Sequence, residues 1–122
     1  MAKRSEIKVE QIRLVMEHDP DPDPSGLERE AEEGDAYAKK RLAAYEEGDW
    51  QYVGIFAEAE IIVKGTVQTI RTPGLWNTES DSGRTYLDEI GREEYADLKD
   101  ILRSLGAKEI PALSTAKWKK RF

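Results

Sequence analysis

The stretch from Tyr52 to Val63 constrains the fold more than any other part of the chain. Every second residue from Val53 onward is apolar, which is the pattern of a β-strand with one buried face. Lys64-Gly65 then reads as a two-residue turn, and a second strand follows it as far as Arg71. The pattern predicts an antiparallel hairpin at the centre of a sheet.

The length of the turn decides which residues face each other across this hairpin. A two-residue turn sets Glu58 opposite Arg71, a favourable cross-strand pair, and Ile61 opposite Gln68. A bulged turn that sets Val67 opposite Ile61 stays an alternative, because it places an apolar residue on the buried face of each strand.

The remaining elements follow from apolar spacing and from start and stop signals. In chain order they are a strand over 6–17, a helix from a Ser25–Glu28 capping box, a second helix that Asp35 could cap, a helix over 85–105 that Gly91 weakens or splits, and an edge strand over 108–113. A phase change between Val9 and Ile12 indicates either a bulge in the first strand or a late start of that strand. The order of elements is that of a ferredoxin-like sandwich. We predict an α+β fold, with an antiparallel sheet of three to four strands and helices on one face (βαββα(β), ferredoxin-like or a variant). It forms a single domain over 1–122 with flexible ends at 1–5 and 116–122.

Charge narrows the classes of function. The chain has 122 residues and a net charge of −6, while its last six residues hold four basic groups and no acidic one. An acidic body repels phosphate backbones and favours basic partners. The absence of cysteine excludes thiolate chemistry and zinc–thiolate sites. No apolar stretch reaches the length of a membrane span, so a cytoplasmic location is expected.

The loop after the hairpin carries the first candidate site. Trp76 precedes Glu79 and Asp81, which alternate with two serines. The two carboxylates suit a divalent cation, but Asp and Ser are also common caps of a following helix. Trp76 either folds back to close the edge of the core or stands as an exposed anchor for a partner.

The basic tail carries the second candidate site, formed by Trp118, Lys119 and Arg121. Mixed cations and aromatics bind phosphates or acidic protein faces. The acidic body of the same chain, or of a neighbouring molecule, is one such face.

Other patterns give no cofactor or metal site. The alternating aspartates after His18 match part of a calcium-loop spacing, but Pro24 stands where that loop needs glycine. His18 is the single histidine and has no nucleophile motif beside it. We therefore expect no cofactor.

Four segments carry a resemblance. They are an Asp-Pro-Asp run before a helix, Ala-Tyr-Glu-x-Gly-Asp-Trp over 44–50, Gly-Ile-x-Ala-x-Ala over 54–59, and Gly-Leu-Trp-x-x-Glu-Ser-Asp-Ser over 74–82. Over residues 19–105 the chain resembles a group of small bacterial and phage proteins. Asn77 departs from that pattern, which has glycine after the tryptophan. The resemblance implies a bacterial or phage setting and transfers no catalytic residue.

These observations favour a small, acidic, non-enzymatic interaction module that binds a basic protein surface. In one version it is an anti-defence inhibitor that occupies a nucleic-acid-binding groove. A metal-assisted hydrolase that uses Glu79 and Asp81 is one alternative, and a nucleic-acid binder that uses the basic tail is another. Homodimerisation is left open, since the second face of the central strand carries Tyr52, Phe56 and Ile62.

Overall fold

The computed structural model describes residues 7–113 and 118–121. It confirms an α+β fold, with a sheet in the order β3-β2-β1-β5 and with β4 pairing along β2 beside β3. The elements are β1 (Ile7–His18), α1 (Ser25–Glu32), α2 (Ala36–Glu46), β2 (Tyr52–Val63), β3 (Thr66–Arg71), β4 (Leu75–Glu79), α3 (Arg84–Ser104) and β5 (Lys119–Arg121).

The central hairpin has the register that a two-residue turn predicts. Lys64 and Gly65 have φ values of 50° and 78°, as a turn that matches the twist of its strands requires. Glu58 consequently pairs with Arg71 and Ile61 with Gln68, and the bulged alternative is wrong. Gln68 is tolerated there because it lies on an edge strand and is exposed.

The phase change in β1 is a bulge rather than a late strand start. Val9 pairs with Ile61 and Gln11 with Glu60, so Glu10 has no partner in β2. The extra residue brings Val9 and Ile12 to the same face of the sheet, where both join the core.

One face of the sheet, which we call the inner face, is covered by α3. Ala57 and Ala59 leave room for the helix, whose Leu98 and Leu102 are fully buried against them. Gly91 does not split α3, contrary to one sequence expectation. Its missing side chain makes room instead, since a Cβ there would lie 2.6 Å from the Leu14 Cδ1 atom.

The ferredoxin-like arrangement is wrong. That fold separates its first two strands with a third, whereas β1 and β2 are direct antiparallel neighbours here. The sheet is mixed rather than antiparallel, because β5 runs parallel to β1 at Val15–Glu17. It also has five strands rather than three or four.

Two segments differ locally from the predicted elements. Residues 108–113 form no strand, because Pro111 interrupts the hydrogen-bonding pattern, although Ile110 and Leu113 still pack against the core. Within the predicted flexible tail, residues 119–121 form β5, while 116–117 and 122 lie outside the described residues, as does the predicted flexible start at 1–5.

The helices do not share one face of the sheet. The opposite face, which we call the outer face, carries Tyr52, Gly54, Phe56, Glu58 and Glu60 of β2. Tyr45 of α2 and Trp50 pack with Tyr52 on this side, with ring centroids 5.0–5.2 Å apart. The pair α1–α2 therefore stands at the Tyr52 end of the sheet. None of the helices in ranges 7–113 and 118–121 is both long and apolar enough for a bilayer crossing.

Candidate functional site

Trp76 lies on the outer face as a half-buried cover. Its ring stacks on Phe56 with centroids 6.1 Å apart, and its Nε1 donates a hydrogen bond of 2.8 Å to the Pro73 carbonyl. Gly54 makes this position possible, because a Cβ there would lie 2.1 Å from the Trp76 Cε3 atom. The structure thus agrees with the interpretation that Trp76 closes the core. The sequence left open a dimer through this face because the face carries Tyr52 and Phe56, but both side chains are buried within their own chain.

Asn77 connects β4 to the proline-rich segment that precedes α1. Its backbone N–H donates to Asp19 Oδ2 at 2.8 Å, and its side-chain Oδ1 accepts from the Asp23 N–H at 2.8 Å. Its φ of 59° lies in the left-handed region, which asparagine tolerates better than most residues. The amide of Asn77 adds contacts that a glycine at this position would lack.

Arg41 of α2 binds both carboxylates of the loop after β4. Its Nη1 and Nη2 atoms donate to the two oxygens of Asp81 at 2.7 and 2.8 Å, and Nη2 also contacts Glu79. The guanidinium lies 4.3 Å from the centroid of the Trp50 ring. These hydrogen bonds lower the pKa of Asp81 and raise the pKa of Arg41 above its ordinary value.

The contact with Arg41 limits the roles that the carboxylates of Glu79 and Asp81 can have. Glu79 and Asp81 both already bind the Arg41 guanidinium, and this geometry disfavours a metal role for them. In the part of the chain that the structure describes, no three His, Cys, Asp or Glu side chains are grouped to hold a metal ion. The capping interpretation is also wrong, because Gly83 occupies the N-cap of α3 and no side chain caps it. Nothing in the sequence indicated Arg41, whose partners Asp81 and Glu79 lie 40 and 38 positions away.

Replacing Arg41 with glutamine is expected to lower the free energy of unfolding by about 2 kcal/mol, since both carboxylates lose a two-pronged donor while water still reaches them. Urea denaturation measures the change. Arg84→Gln is the matched control, because Arg84 is exposed and lies 3.7 Å from Asp88 in an i,i+4 pair. Equal effects of the two substitutions would show that Arg41 does not lock α2 to the loop.

The candidate residues of the tail are mostly engaged within the chain. Trp118 is half-buried against a cluster that includes Ile90, and Arg121 donates to Glu58 at 2.7 and 3.0 Å. Lys119 is exposed. Residues 118–121 of the tail thus lie against the sheet of their own chain, where Arg121 meets the buried carboxylate of Glu58. Arg121 and Trp118 are consequently less accessible to a nucleic acid than the sequence suggested.

The acidic charge is concentrated in the segment that contains α1 and α2. Residues 19–50 hold eleven acidic and four basic side chains, a net charge of −7, while the remainder holds fourteen acidic and fifteen basic ones. We call this segment the acidic helix pair. Tyr37 projects from it with 74% of its surface exposed, and nothing in the sequence singled this side chain out.

An open depression of about 420 Å³ lies where the acidic helix pair meets β4. It is lined by Pro20, Trp76, Asn77 and three aspartates, which are Asp19, Asp21 and Asp23. The depression is shallow and carries no basic residue in its lining. Its three aspartates belong to the acidic helix pair and are part of the negative charge of that segment.

Comparison of the chain with protein-family models, with curated proteins and with solved structures gives no match.

Proposed function

We propose that this protein is a non-enzymatic interaction module whose acidic helix pair binds a basic surface of a partner protein. The observation that carries the proposal is the separation of charge, with a net −7 in residues 19–50 and near neutrality elsewhere. A field of one sign over one surface accelerates encounter with an oppositely charged partner and selects against wrong ones.

Side-chain contacts hold the acidic helix pair in one position relative to the sheet. Arg41 ties α2 to the loop after β4, and Asn77 ties the segment before α1 to β4. Tyr45, Trp50 and Tyr52 pack together between the pair and the sheet. A surface that is ordered before binding loses less conformational entropy when a partner docks, which favours affinity.

Tyr37 supplies the contact that charge alone does not give. It is the most exposed of the large hydrophobic side chains in the described ranges, and it lies in the first turn of α2, two residues after Asp35 and one turn before Lys40 and Arg41. Tyrosine at the centre of an interface is a frequent contributor of binding energy. We place the centre of the interaction at Tyr37 rather than at Trp76, whose ring is committed to Phe56.

An inhibitor that occupies the nucleic-acid-binding groove of its target is the specific form of this proposal. Such a groove is lined by Lys and Arg to neutralise phosphates, so an ordered acidic surface is complementary to it. The setting in bacteria or phages rests on the resemblance of the Gly74–Ser82 segment and is part of the proposal.

Removing charge from α1 is expected to abolish capture of the partner. The variant Glu28→Gln, Glu30→Gln, Glu32→Gln, Glu33→Gln neutralises four exposed carboxylates of the pair. Affinity capture from bacterial lysate, with mass spectrometry, should show basic proteins retained by the wild type at low salt and at least a tenfold loss with the variant, or about 1.4 kcal/mol. Tyr37→Ala should lower capture similarly at high salt, where screening leaves the aromatic contact.

The matched control removes the same charge elsewhere. Glu89→Gln, Glu93→Gln, Asp97→Asn and Asp100→Asn neutralise four exposed carboxylates on α3. This variant should capture the same proteins as the wild type. If both variants lose capture equally, net charge rather than the acidic helix pair is responsible; if the captured proteins are not basic, the proposal is wrong.

A further inference from the structure

The three long margins of the sheet are protected to different degrees. The free side of β1 carries the Glu10 bulge and is partly covered by β5, and β4 is bent by the left-handed Asn77. Bulges, charges and covering segments are the devices that keep sheet edges from pairing with other chains. These two margins are therefore poor templates for a further strand.

The margin formed by β3 has none of these devices before its last residue, Arg71. Residues 66–70 contain no charge, no proline and no bulge, and their pairing with β2 is regular from Thr66 to Arg71. Residues 66–69 are exposed, including Val67 at 59%. Across residues 7–113 and 118–121, β2 is the one strand paired with β3. An ordered, uncharged and uncovered edge is a template for strand addition.

The register shows which backbone groups this edge presents. Val63 and Thr66 flank the two-residue turn and pair with each other. In such a hairpin the flanking pair exchanges hydrogen bonds, so by alternation Val67, Thr69 and Arg71 direct their N–H and C=O groups away from β2. These three residues supply a row of donors and acceptors for an added antiparallel strand.

The same edge is complementary to itself. In an antiparallel pair of β3 strands centred on Thr69, Val67 faces Arg71 of the second copy, and Gln68 faces Ile70. Centred on Gln68, Val67 faces Thr69 and Thr66 faces Ile70. Both arrangements keep inner-face residues opposite inner-face residues and place no two like charges opposite each other.

The distribution of charge also permits two copies to meet here. The acidic helix pair joins the sheet at Tyr52, and β3 lies at the other end of β2, near Val63. Eleven residue steps of extended strand separate these ends by roughly 35 Å, several Debye lengths at physiological salt. The charges nearest the turn and the end of β3 are Lys64 and Arg71, so the net −7 of the helix pair does not oppose contact at β3.

We propose that β3 pairs antiparallel with β3 of a second copy of this chain, which joins the two sheets into one. Two six-residue strands bury less than the roughly 1,200 Å² of a standard interface, so the dimer should form in the micromolar range or above. The inference is independent of the proposed function. In the dimer the two acidic helix pairs lie at opposite ends and stay free, so a partner with repeated basic sites would be bound bivalently.

Single cysteines test the arrangement directly, because the chain has none of its own. Gln68→Cys and Thr69→Cys each place a thiol at the centre of one of the two registers, within disulfide reach of its copy. Under mild oxidation at 200 µM, one of them should form a covalent dimer at least tenfold faster than Thr85→Cys, an exposed position on α3. Equal rates at all three positions would overturn the proposal.

Sedimentation equilibrium of the unmodified chain from 5 to 500 µM provides the second test. We expect a concentration-dependent dimer that the double variant Val67→Lys, Thr69→Lys abolishes, with a melting temperature within about 2 °C of the wild type, because both side chains are exposed. A wild-type chain that stays monomeric at 500 µM, or a double variant that still dimerises, would contradict pairing through β3. Neither result bears on capture by the acidic helix pair.

Discussion

Alanine at position 54 is expected to lower the free energy of unfolding by about 3 kcal/mol, roughly 10 °C in melting temperature for a domain of this size. The new Cβ would lie 2.1 Å from the Trp76 Cε3 atom. The indole has no easy retreat, because Phe56 stacks on it and the Pro73 carbonyl accepts from its Nε1. Trp76 must therefore leave the outer face, which exposes Phe56 to water. Urea denaturation and the near-ultraviolet circular dichroism of the tryptophans measure both effects.

A double-mutant cycle separates this clash from a general effect of alanine in a strand. In a Trp76→Ala background, Gly54→Ala should cost less than about 1 kcal/mol, since the atom that it meets is gone. Gly26→Ala is the control at an open position, because a Cβ at Gly26 has no neighbour within 4 Å. It should leave stability unchanged or raise it by about 0.5 kcal/mol, since Gly26 lies in α1. If Gly54→Ala lowers the free energy of unfolding by the same amount in the Trp76→Ala background, the strand itself requires glycine at this position.

Glutamine in place of Glu58 is the second large effect that we expect, a loss of about 3 kcal/mol. The Glu58 side chain is 5% exposed. It accepts hydrogen bonds from Arg13 Nε at 2.7 Å and from both terminal nitrogens of Arg121. A neutral amide removes the carboxylate that both guanidinium groups share and leaves Arg13 only its 3.8 Å contact with Glu60. The NH₂ group of the amide also faces the donors of the two arginines. The contact that holds β5 to the outer face is lost, so proteolysis after Lys119 or Lys120 should accelerate.

Glu60→Gln is the matched control for this substitution. Glu60 lies two residues further along the same face of β2, is 40% exposed and approaches Arg13 at 3.8 Å. Its replacement should change the free energy of unfolding by less than about 0.5 kcal/mol. A similar loss at both positions would mean that burial of Glu58 adds nothing to the pair.

The loss at Glu58 should depend on pH in a defined direction. Hydrogen bonds from Arg121, opposed by burial, and those from Arg13 lower the pKa of Glu58 in the folded protein. The group therefore binds protons less readily when folded than when unfolded, and its contribution is complete above the unfolded pKa of about 4.3. The contribution is lost as pH falls from there through the folded pKa. Urea titrations at pH 7, 5, 4 and 3 should show the wild type and Glu58→Gln converging below about pH 4.3, and a constant difference would refute the assignment.

Local signals predicted the parts of the fold that depend on near neighbours. Lys64-Gly65 predicted a two-residue turn, and the positive φ of both residues shows that this turn forms, whereas the sequence alone left a bulged turn as an alternative. The phase change in β1 indicated a bulge or a late strand start, and the structure has the bulge, at Glu10. Asp35 accepts from the Ala38 N–H, as a helix N-cap should. One such signal failed, since α1 begins at Ser25 itself and its N-cap is Pro24 without a side-chain hydrogen bond.

Strand neighbours and the partners of charges could not be predicted in the same way. β5 is three residues long and reads Lys-Lys-Arg, a composition unfavourable for a strand, so its formation rests on pairing with β1 and on the Arg121–Glu58 contact. The candidate site shows the same limit. Nothing in the sequence shows that Trp76, Glu79 and Asp81 have partners within the chain. Packing brings Phe56 against Trp76, and it brings Arg41 against Glu79 and Asp81.

The amino-acid sequence by itself determined the alternation of β2, the position of the turn after it, the caps of α2 and the separation of charge between residues 19–50 and the rest. Each of these follows from the order of side chains, since backbone geometry and net charge need no distant partner. Tertiary structure decided which strands are neighbours, which carboxylates are neutralised by Arg41, Arg13 and Arg121, and which aromatic side chain is left in water. The carboxylate–arginine pairs, for example, join residues that are 38 to 63 positions apart, and only the folded chain brings them together.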